Sequence, residues 1–334
     1  MGTDPSPFAT PIHYNSAHAT KVGIWEAGHT PAGCVGRYIL YMTAAPAVQT
    51  PLDPQRILEA AQALRMADAG PNSPAGLISV LCDDNVSGDE LAARIEAQPV
   101  LCARVLHVAN SPYYGQAKTV ANVPRALLLL GVNALRGIAA AACVDQVMPQ
   151  RIECLPDIPA ILRHSLATAI GGEMLATMTH PLLARDAFLA GLLHNLGIGL
   201  QASLDPTGTT AIIAARQTRP AESIRGLEAQ YSKFPHEECA AVLFEAWTLP
   251  DCFIESARNH HQPGAARPPH GVLASLVWAS ANLALSCGNT YSLEPAAPAT
   301  DYAWLSEMGL YERHIATVKE ELPQRLALLS GAFR

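Results

Sequence analysis

The sequence has little charge and few aromatic side chains. Charged residues make up 15% of the 334 residues and aromatic residues 6%, whereas hydrophobic residues make up 49%. This balance excludes an intrinsically disordered chain. The net charge is −7, and no dense cluster of Lys and Arg occurs. General binding to nucleic acid or to an anionic membrane is therefore not expected, because both require concentrated positive charge.

Patterns that mark export or membrane insertion are also lacking. The first residues carry Asp4 and several prolines where a signal peptide has a basic and then an apolar region. The apolar run at residues 38–48 is too short to span a bilayer and contains Pro46. The eight cysteines show no Cys-x-x-Cys spacing, which indicates core thiols rather than disulfides or a zinc knuckle. We expect a soluble, cytoplasmic protein.

The sequence contains no glycine-rich phosphate loop, nucleophile elbow or heptad series. Alanine and leucine dominate over valine, isoleucine and aromatic residues, which favours helices packed on helices. Helix starts are indicated by Asp53-Pro54, by Ser73-Pro74 and by the capping box Ser87-Gly-Asp-Glu90. Nothing in the pattern calls for a sheet, so the sequence predicts an all-α fold.

Prolines divide the chain into segments. Residues 1–52 hold six prolines and no sustained helical period, and we expect an irregular N-terminal segment, either a poorly ordered lead-in or a partner-binding arm. Pro149, Pro156 and Pro159 separate two helical lobes, 53–150 and 157–290. Residues 291–334 form a predicted helical extension, with helices near 301–308 and 311–331, the latter interrupted at Pro323.

The sequence also predicts which residues form the core of each lobe. Residues 123–147 are expected to be buried in the first lobe, with Leu127–Leu130 central because they are apolar all round. The second lobe is expected to contain helices at 160–178, 185–197, 207–218, 221–231, 235–247, 250–261 and 271–286, with 185–197 buried.

Histidines recur along the helices of the second lobe, at His164, His194, His236, His260 and His261. A single histidine on an apolar helix is normally a core residue or a cap. Five that follow one another on successive helices, mostly near helix ends, are better explained by convergence in one cleft. Asn195 stands directly after His194, and Asn282 lies on the last long helix of the lobe. An amide carries no charge and binds a metal far more weakly than a carboxylate does.

A turn in the first lobe is a second candidate site. Its residues Asn110, Ser111, Tyr113 and Tyr114 could form a partner-recognition loop, since polar and aromatic side chains on turns often bind partners. The alternative, which we favour, is a capped turn whose tyrosines cover the core, because asparagine, serine and proline all stabilise turns.

Several segments carry a resemblance to a known family. They are Glu90–Gly115, Ala126–Gly131, Ala190-Gly-Leu-Leu-His-Asn-Leu-Gly197, Ala246-Trp-Thr-Leu-Pro250 and His260-His-Gln-Pro263. From about Pro74 to Pro263 the chain resembles an HDOD domain, the signalling-associated relative of the HD metal-dependent phosphohydrolases. The resemblance implies that residues 53–290 form a two-lobed helical HDOD domain, with an HD-like second lobe at 157–290.

The resemblance also implies which positions correspond to metal ligands in catalytic HD relatives. They are His164, His194, Asn195, His236, His260, His261 and Asn282. Two of these positions normally carry aspartate, and both are asparagine here. Gly199 stands where catalytic relatives often have a lysine. We therefore expect vestigial site positions with no catalytic residues, no bound metal and no cofactor.

The functional expectation is a non-catalytic bacterial signal-transduction protein that acts through protein–protein contacts, with ligand sensing in the degenerate cleft as an additional role. The N-terminal segment is too short for a receiver or cyclase-type module, so signalling partners are expected in trans. The alternative is a metal-dependent phosphohydrolase or phosphodiesterase with an altered ligand set. Direct DNA binding is disfavoured by the charge and by the lack of a basic recognition helix.

Overall fold

α-Helices account for almost all of the regular structure. The computed structural model describes residues 53–64, 66, 70, 73–111, 119–295, 306 and 309–330, which lie within one compact unit, Val48–Arg334. In chain order the helices are α1 Pro54–Ala63, α2 Pro74–Cys82, α3 Gly88–Glu96, α4 Pro99–Ala109, α5 Val123–Leu130, α6 Val132–Val147, α7 Ile158–Thr179, α8 Ala184–Leu193, α9 Gly197–Leu204, α10 Pro206–Thr218, α11 Ile224–Tyr231, α12 His236–Ala246, α13 Asp251–Asn259, α14 Gly271–Ser286 and α15 Glu312–Ser330.

Extended pairing in the described ranges is limited to two isolated antiparallel bridges, Ile152 with Leu155 and Tyr291 with Glu294. The all-α prediction is confirmed. The predicted irregular segment 1–52 lies outside the described residues. The predicted short helix near 301–308 does too, apart from Ser306.

The predicted helix starts are capped by the expected side chains. Asp53 Oδ1 accepts from the Gln55 amide at 3.1 Å, and Ser73 Oγ accepts from the Gly76 amide at 2.9 Å. Ser87 Oγ accepts from the amide of Glu90 at 3.2 Å, which is one half of a capping box. The Glu90 carboxylate pairs forward along the helix with Arg94. These local contacts explain why the helices begin where the sequence indicated.

Helix α6 is the central helix of the first lobe. It packs against α2, α4, α5 and α8, and nearly all of its side chains from residue 135 onward are buried. Arg136 is 4% exposed, and its guanidinium donates to the carbonyls of Leu81 at 2.9 Å and Asp83 at 3.0 Å. A buried cation thereby satisfies carbonyl groups left free at the C-terminal end of α2.

Helix α5 is peripheral, and the prediction that Leu127–Leu130 are central was wrong. Leu128 is 79% exposed, and the buried residues of this helix are Val123 and Ala126. The helix has eight residues and packs against α3, α4 and α6, and Leu128 stays exposed. An uninterrupted apolar run shows that a helix can be buried on any face; it does not show how many faces have neighbours.

The second lobe is built around α7, which packs against α8, α14 and α15. The crossing of α7 and α8 is close at Gly191, where a Cβ atom would lie 2.9 Å from the Cα of Ala169. Burial of residues 187–193 agrees with the sequence, but the single predicted helix 185–197 does not. Helix α8 ends at Leu193, three residues turn through i to i+3 hydrogen bonds, and α9 begins at Gly197. His194 and Leu196 keep helical backbone dihedrals within this turn.

Contacts cross between the predicted lobes at both ends of the domain. Helix α1, assigned to the first lobe by sequence, packs on α9 and α12 of the second. Trp247 supports this packing, because its indole N–H donates to the carbonyl of Met66 at 2.8 Å.

Helix α15 of the C-terminal extension packs on α7 and α14 and continues through Pro323, so the predicted interruption there was wrong. Burial of Val318, Leu322 and Leu326 holds the helix together across the missing amide donor.

The stretch Pro181–Leu204 is long and apolar enough to cross a bilayer by length and composition. However, 89% of its apolar window is buried inside the protein. This burial is what a core segment of a globular protein shows.

Candidate functional site

The structure brings the five predicted histidines together in one cluster. His164 lies within α7, His194 follows α8, His236 begins α12, and His260 and His261 follow α13. Ring centroids are 5.5 Å apart for His164 and His194, 4.9 Å for His194 and His260, 5.1 Å for His236 and His260, and 4.2 Å for His260 and His261. The first four named are at most 1% exposed, and His261 is partly exposed.

Hydrogen bonds fix the tautomer of four of these rings. The Nδ1 atoms of His164, His194 and His260 each lie 2.6 to 2.9 Å from a backbone carbonyl oxygen, those of Asn289, Gly191 and Ala257. His236 Nδ1 lies 2.7 Å from Glu228 Oε1. Because carbonyl and carboxylate oxygens accept, each Nδ1 carries the proton and donates it. The Nε2 atoms of the neutral rings are therefore left with a lone pair.

Three Nε2 atoms converge at one side of the cluster. His236 Nε2 lies 3.2 Å from His260 Nε2 and 3.3 Å from His261 Nε2. Together these residues form a group whose ligand atoms all lie within 4.8 Å of one another. His164 is different, because its Nε2 accepts from the hydroxyl of Thr168 at 3.4 Å. Its two nitrogens are satisfied by the protein, as in a structural core histidine.

A buried carboxylate that sequence reasoning missed stands behind His236. Glu228, on α11, is 1% exposed, and its Oε1 accepts from Gln201 Nε2 and from both Nδ1 and the amide of His236. Its Oε2 is buried and has no hydrogen-bond partner among the described residues. Glu228 stands eight residues before His236 in no recognisable motif, so nothing in the sequence singled it out.

The pKa values of the clustered histidines shift in different directions. Burial opposes protonation of His236, but the carboxylates of Glu228, Glu237 and Glu294 together more than offset burial and raise the pKa of His236. Burial holds the pKa values of His194, His260 and His261 well below the usual range, and the neighbouring histidines lower them further. Burial also raises the pKa of Glu237 to about 7. Burial lowers the pKa of His164 as well, so four of the five rings favour the neutral form and His236 is the exception.

Asn195 is held by a segment that the sequence assigned to the C-terminal extension. It is 1% exposed, and its Nδ2 donates to the phenol oxygen of Tyr291 at 3.1 Å. Tyr291 in turn donates to Glu294 Oε2 at 2.7 Å, and its ring centroid lies 5.1 Å from that of His164. Burial and the Glu294 charge raise the pKa of Tyr291 well above its usual value, so the phenol stays protonated. Asn195 Oδ1 is buried and has no hydrogen-bond partner within the described chain.

The remaining predicted positions make other contacts. Asn282, on α14, donates from Nδ2 to the carbonyl of Trp278 at 2.8 Å, along its own helix. A Cβ atom on Gly199 would lie 2.9 Å from Met148 Sδ and 3.2 Å from Pro149 Cδ. The segment between the lobes thus occupies the space that a lysine side chain at residue 199 would need.

Asn110 holds the two ends of the predicted recognition loop together. Its Nδ2 donates to the carbonyls of Leu106 and Val120, and its Oδ1 accepts from the amide of Val120 at 2.8 Å. This use of the side chain matches the capped-turn interpretation. Ser111 Oγ is buried without a partner among the described residues, and Tyr113 and Tyr114 lie outside them. Partner binding by this loop stays a prediction.

The donor set distinguishes between two kinds of metal centre. A carboxylate-bridged pair of dications requires an anionic bridging ligand, and the neutral amide of Asn195 is tied to Tyr291. A single nitrogen-preferring ion requires imidazole lone pairs at close spacing, which His236, His260 and His261 provide. The orphaned oxygens of Asn195 and Glu228 border this cluster. The residues present fit one ion and do not fit a bridged pair.

Comparisons with known proteins agree with the fold. The family model described as HDOD domain matches residues 70–263. An uncharacterised protein of Treponema pallidum is 24% identical over 228 residues, which are 66% of this chain and 43% of that protein. A crystal structure from Marinobacter aquaeolei, described as a "Putative signal transduction protein", has a TM-score of 0.66 and 25% identity, and covers 78% of this chain and 58% of that one.

A second solved structure, an HDOD domain protein of unknown function from Geobacter sulfurreducens, has a TM-score of 0.61 at 19% identity. It covers 86% of this chain and 93% of that one. This chain therefore spans about half the length of the first two relatives and nearly all of the third.

Proposed function

Because this chain belongs to the HDOD domain family, we propose that it is a signal-transduction protein that performs no hydrolysis and acts through contacts with other proteins. The family and its signal-transduction relative support a signalling role. The absence of hydrolysis and the action through protein contacts are our proposal.

The observation that carries the proposal is the state of Asn195. In a two-metal hydrolase, bridging negative charge at the centre keeps two dications about 3.5–4 Å apart and helps acidify the attacking water. Asn195 has no charge, and its amide is engaged by Tyr291, which is bound to Glu294. An amide held in this way cannot act as the bridge.

The chain's own residues also keep substrate away from the cluster. His164, His194, His236 and His260 are almost fully buried, and Tyr291 packs against His164. A metal ion bound by His236, His260 and His261 would supply Lewis-acid charge. A phosphodiester, however, would have to displace Tyr291 to approach Asn195. Tyr291 therefore covers His164 and Asn195 on this side of the cluster.

Exposed apolar side chains of the first lobe support action through protein contacts. Val100 on α4, Leu128 on α5 and Val132 on α6 are 56%, 79% and 37% exposed, and α5 packs on both other helices. A contiguous exposed apolar patch is typical of a contact surface. We assign the partner contact to these exposed side chains of the first lobe.

The alternative function, a metal-dependent phosphohydrolase or phosphodiesterase with an altered ligand set, is favoured by one observation. The three converging imidazoles form an arrangement that could bind a metal ion. A three-histidine ion with an open position can activate water. The two functions differ in whether the purified protein turns over a substrate.

Hydrolysis is tested with the full chain loaded separately with manganese, iron and zinc. The substrates are cyclic dinucleotides, nucleoside phosphates and an activated aryl phosphodiester. We expect background rates for the wild type, and at most partial rescue in the double variant Asn195→Asp, Asn282→Asp, because Tyr291 remains bound beside residue 195. Metal-dependent turnover by the wild type, lost in His260→Gln, would establish the enzyme instead.

Protein contact is tested by cross-linking in the native cell followed by mass spectrometry. Leu128→Glu should lose the partners that the wild type captures. Leu182→Glu, at a leucine 97% exposed in the second lobe, is the matched control and should keep them. Equal capture by all three proteins would argue against the first-lobe surface.

A further inference from the structure

We propose that the exposed apolar side chains of the first lobe receive a basic amphipathic segment of a partner protein. Apolar residues of this segment lie on Leu128 and Val132, and one of its arginine or lysine side chains enters an acidic notch between the lobes. The inference rests on the proposed function and adds to it the chemistry of the partner.

The interlobe notch is a cavity of about 490 Å³ that both lobes line. Its walls come from the end of α2 and the turn after it, within residues 79–85, and from the turn before α13, residues 248–251. A cavity of this size is comparable to small-ligand pockets and has room for a long side chain. Among the described residues, the lining includes Asp83, Asp84 and Asp251 and no lysine or arginine.

Two of these three carboxylates have no ion pair within the described chain. Asp84 is paired with Arg185, which also binds Asp186. Asp83 Oδ1 accepts two hydrogen bonds within its own turn, at 2.8 and 3.0 Å, and has no salt bridge. The side chain of Asp251 has neither a hydrogen bond nor an ion pair to any described residue. Each lobe thus contributes one unpaired carboxylate, and a cation between them compensates both.

The cations near the notch do not neutralise it. The guanidinium of Arg136 attracts Asp83 and Asp84, but it donates its hydrogen bonds to backbone carbonyls, including those of Leu81 at 2.9 Å and Asp83 at 3.0 Å. Four carboxylates around the notch stand against two guanidinium groups, which leaves a net charge of −2. This excess favours a positively charged occupant.

The backbone of the second-lobe wall also indicates binding. Thr248 has a φ of 57°, in the left-handed region where glycine normally follows a helix. Its amide donates to the carbonyl of Glu245, and the amide of Leu249 donates to that of Phe244. A glycine would make the same bonds without the strain of a β-branched residue. Thr248 lines the notch, and its hydroxyl has no hydrogen bond to any described residue, so it is available to a ligand.

The notch and the exposed apolar side chains are joined by the turn between α2 and α3. Asn85 lines the notch, and Gly88, three residues later, is the first residue of α3. A Cβ atom on Gly88 would lie 3.2 Å from Leu127 Cδ2 and 3.8 Å from Val132 Cγ2. Three residues span at most about 10 Å. A helix of three turns is about 16 Å long and can therefore contact both the notch and the apolar side chains.

Charge complementarity selects a basic occupant over an acidic one. Beside the apolar side chains, Glu90 is paired with Arg94, and Asp89 has no ion pair within the described chain. Arg125 of α5 is an opposing cation, also without an ion pair to a described residue. Together with the two unpaired carboxylates of the notch, acidic groups outnumber it by three to one. An acidic partner is repelled by this arrangement, whereas an amphipathic helix with basic residues satisfies both the charge and the apolar contact.

The first test measures the binding of two labelled synthetic peptides to the full chain by fluorescence anisotropy. One is a helical peptide of leucine and lysine of about 18 residues, and the other has glutamate in place of lysine. We expect the wild type to bind the lysine peptide at least about 10-fold more tightly than the glutamate peptide. Added salt should reduce this difference, because it screens exposed charges.

Variants locate the bound peptide. The double variant Asp83→Asn, Asp251→Asn removes the two unpaired carboxylates and should weaken binding of the lysine peptide by about 5-fold or more. Leu128→Ser should weaken it by a similar factor through lost apolar contact. The control Glu312→Gln, Glu320→Gln removes the same charge from exposed positions on α15 and should bind as the wild type does. Circular dichroism verifies that every variant is folded.

The second test repeats the native-cell cross-linking with these variants. Partners that Leu128→Glu loses should also be lost by Asp83→Asn, Asp251→Asn and kept by the α15 control. If the notch variant keeps those partners, the inference is wrong and the proposed function stands. If the wild type and Leu128→Glu capture the same partners, the proposed contact surface is wrong and the inference fails with it.

Three peptide results would overturn the inference. One is equal binding of the lysine and glutamate peptides to the wild type. Another is an equal loss of binding in the notch variant and the α15 control, which would reduce the effect to net charge. The third is unchanged binding by Leu128→Ser, which would leave a site for a small cation such as a polyamine instead of an amphipathic segment.

Discussion

The substitution Gly197→Ala tests whether α9 and α12 approach as closely as the structure shows. Gly197 is the first residue of α9. A Cβ atom there would overlap the carbonyl oxygen of His236 and lie 2.5 Å from the amide nitrogen of Ala240. Carbon atoms contact backbone polar atoms at about 3.3 Å or more. The helices would have to separate by at least about 0.8 Å, and His236 would move with α12.

Helix propensity and tertiary packing predict opposite signs for the change in the free energy of unfolding. By helix propensity alone, Gly→Ala stabilises a helix by up to about 1 kcal/mol. Overpacking of this kind costs about 1–3 kcal/mol and occasionally more, and here the atoms displaced are backbone atoms that cannot change rotamer. We therefore expect Gly197→Ala to lower the free energy of unfolding by about 2 kcal/mol.

The matched control is Gly271→Ala. Gly271 also begins a helix, α14, but a Cβ atom there would meet nothing nearer than the carbonyl oxygen of Pro263 at 3.9 Å. Urea unfolding followed by circular dichroism should show this control equal to or slightly more stable than the wild type. If Gly197→Ala proved as stable as Gly271→Ala, the close approach of α9 to α12 would be refuted.

Three further predictions follow from burial and charge. Arg136→Met should lower the free energy of unfolding by about 2 kcal/mol or more in urea, because the carbonyls of α2 lose a buried cationic donor; an unchanged midpoint would contradict this. Burial raises the pKa of Glu173 despite Arg325, so the folded state holds this proton more tightly than the unfolded chain, and stability is lost as pH rises through the folded pKa. The unfolding free energy of Glu173→Gln minus that of the wild type should therefore be more positive at about pH 7 than at about pH 4. An equal difference at both pH values would contradict this prediction. Leu128→Ser should change stability by less than about 0.5 kcal/mol, whereas Leu192→Ala, at a side chain 2% exposed, should cost about 2–5 kcal/mol; comparable losses in thermal unfolding would restore a central role for α5.

Local chemistry was sufficient to predict much of the secondary structure. Asp53, Ser73 and Ser87 cap the helices that follow them, because capping depends on a side chain and an amide two or three residues away. The order of the five histidines on successive helices was also enough to predict their convergence. In a helical lobe, residues near neighbouring helix ends have few other places to meet.

Local chemistry was insufficient where the burial or continuity of a helix depended on which other helices pack against it. The apolar run of α5 fitted a central helix and a peripheral one equally well, and the number of neighbouring helices decided that Leu128 is exposed. Similarly, Pro323 interrupts no helix because α7 and α14 hold α15 in place.

The sequence by itself determined the helix starts, the all-α class and the histidines of the cluster, since each rests on residues within a few positions of one another or on their order along the chain. Only the tertiary structure decided the character of the cluster. It brought Glu228 to His236 from α11 and Tyr291 to Asn195 from the segment after α14. The Asn195–Tyr291 contact joins residues 96 positions apart and depends on the packing of the helices between them, and the Glu228–His236 contact depends on how α12 packs beside α11. No local pattern encodes either arrangement.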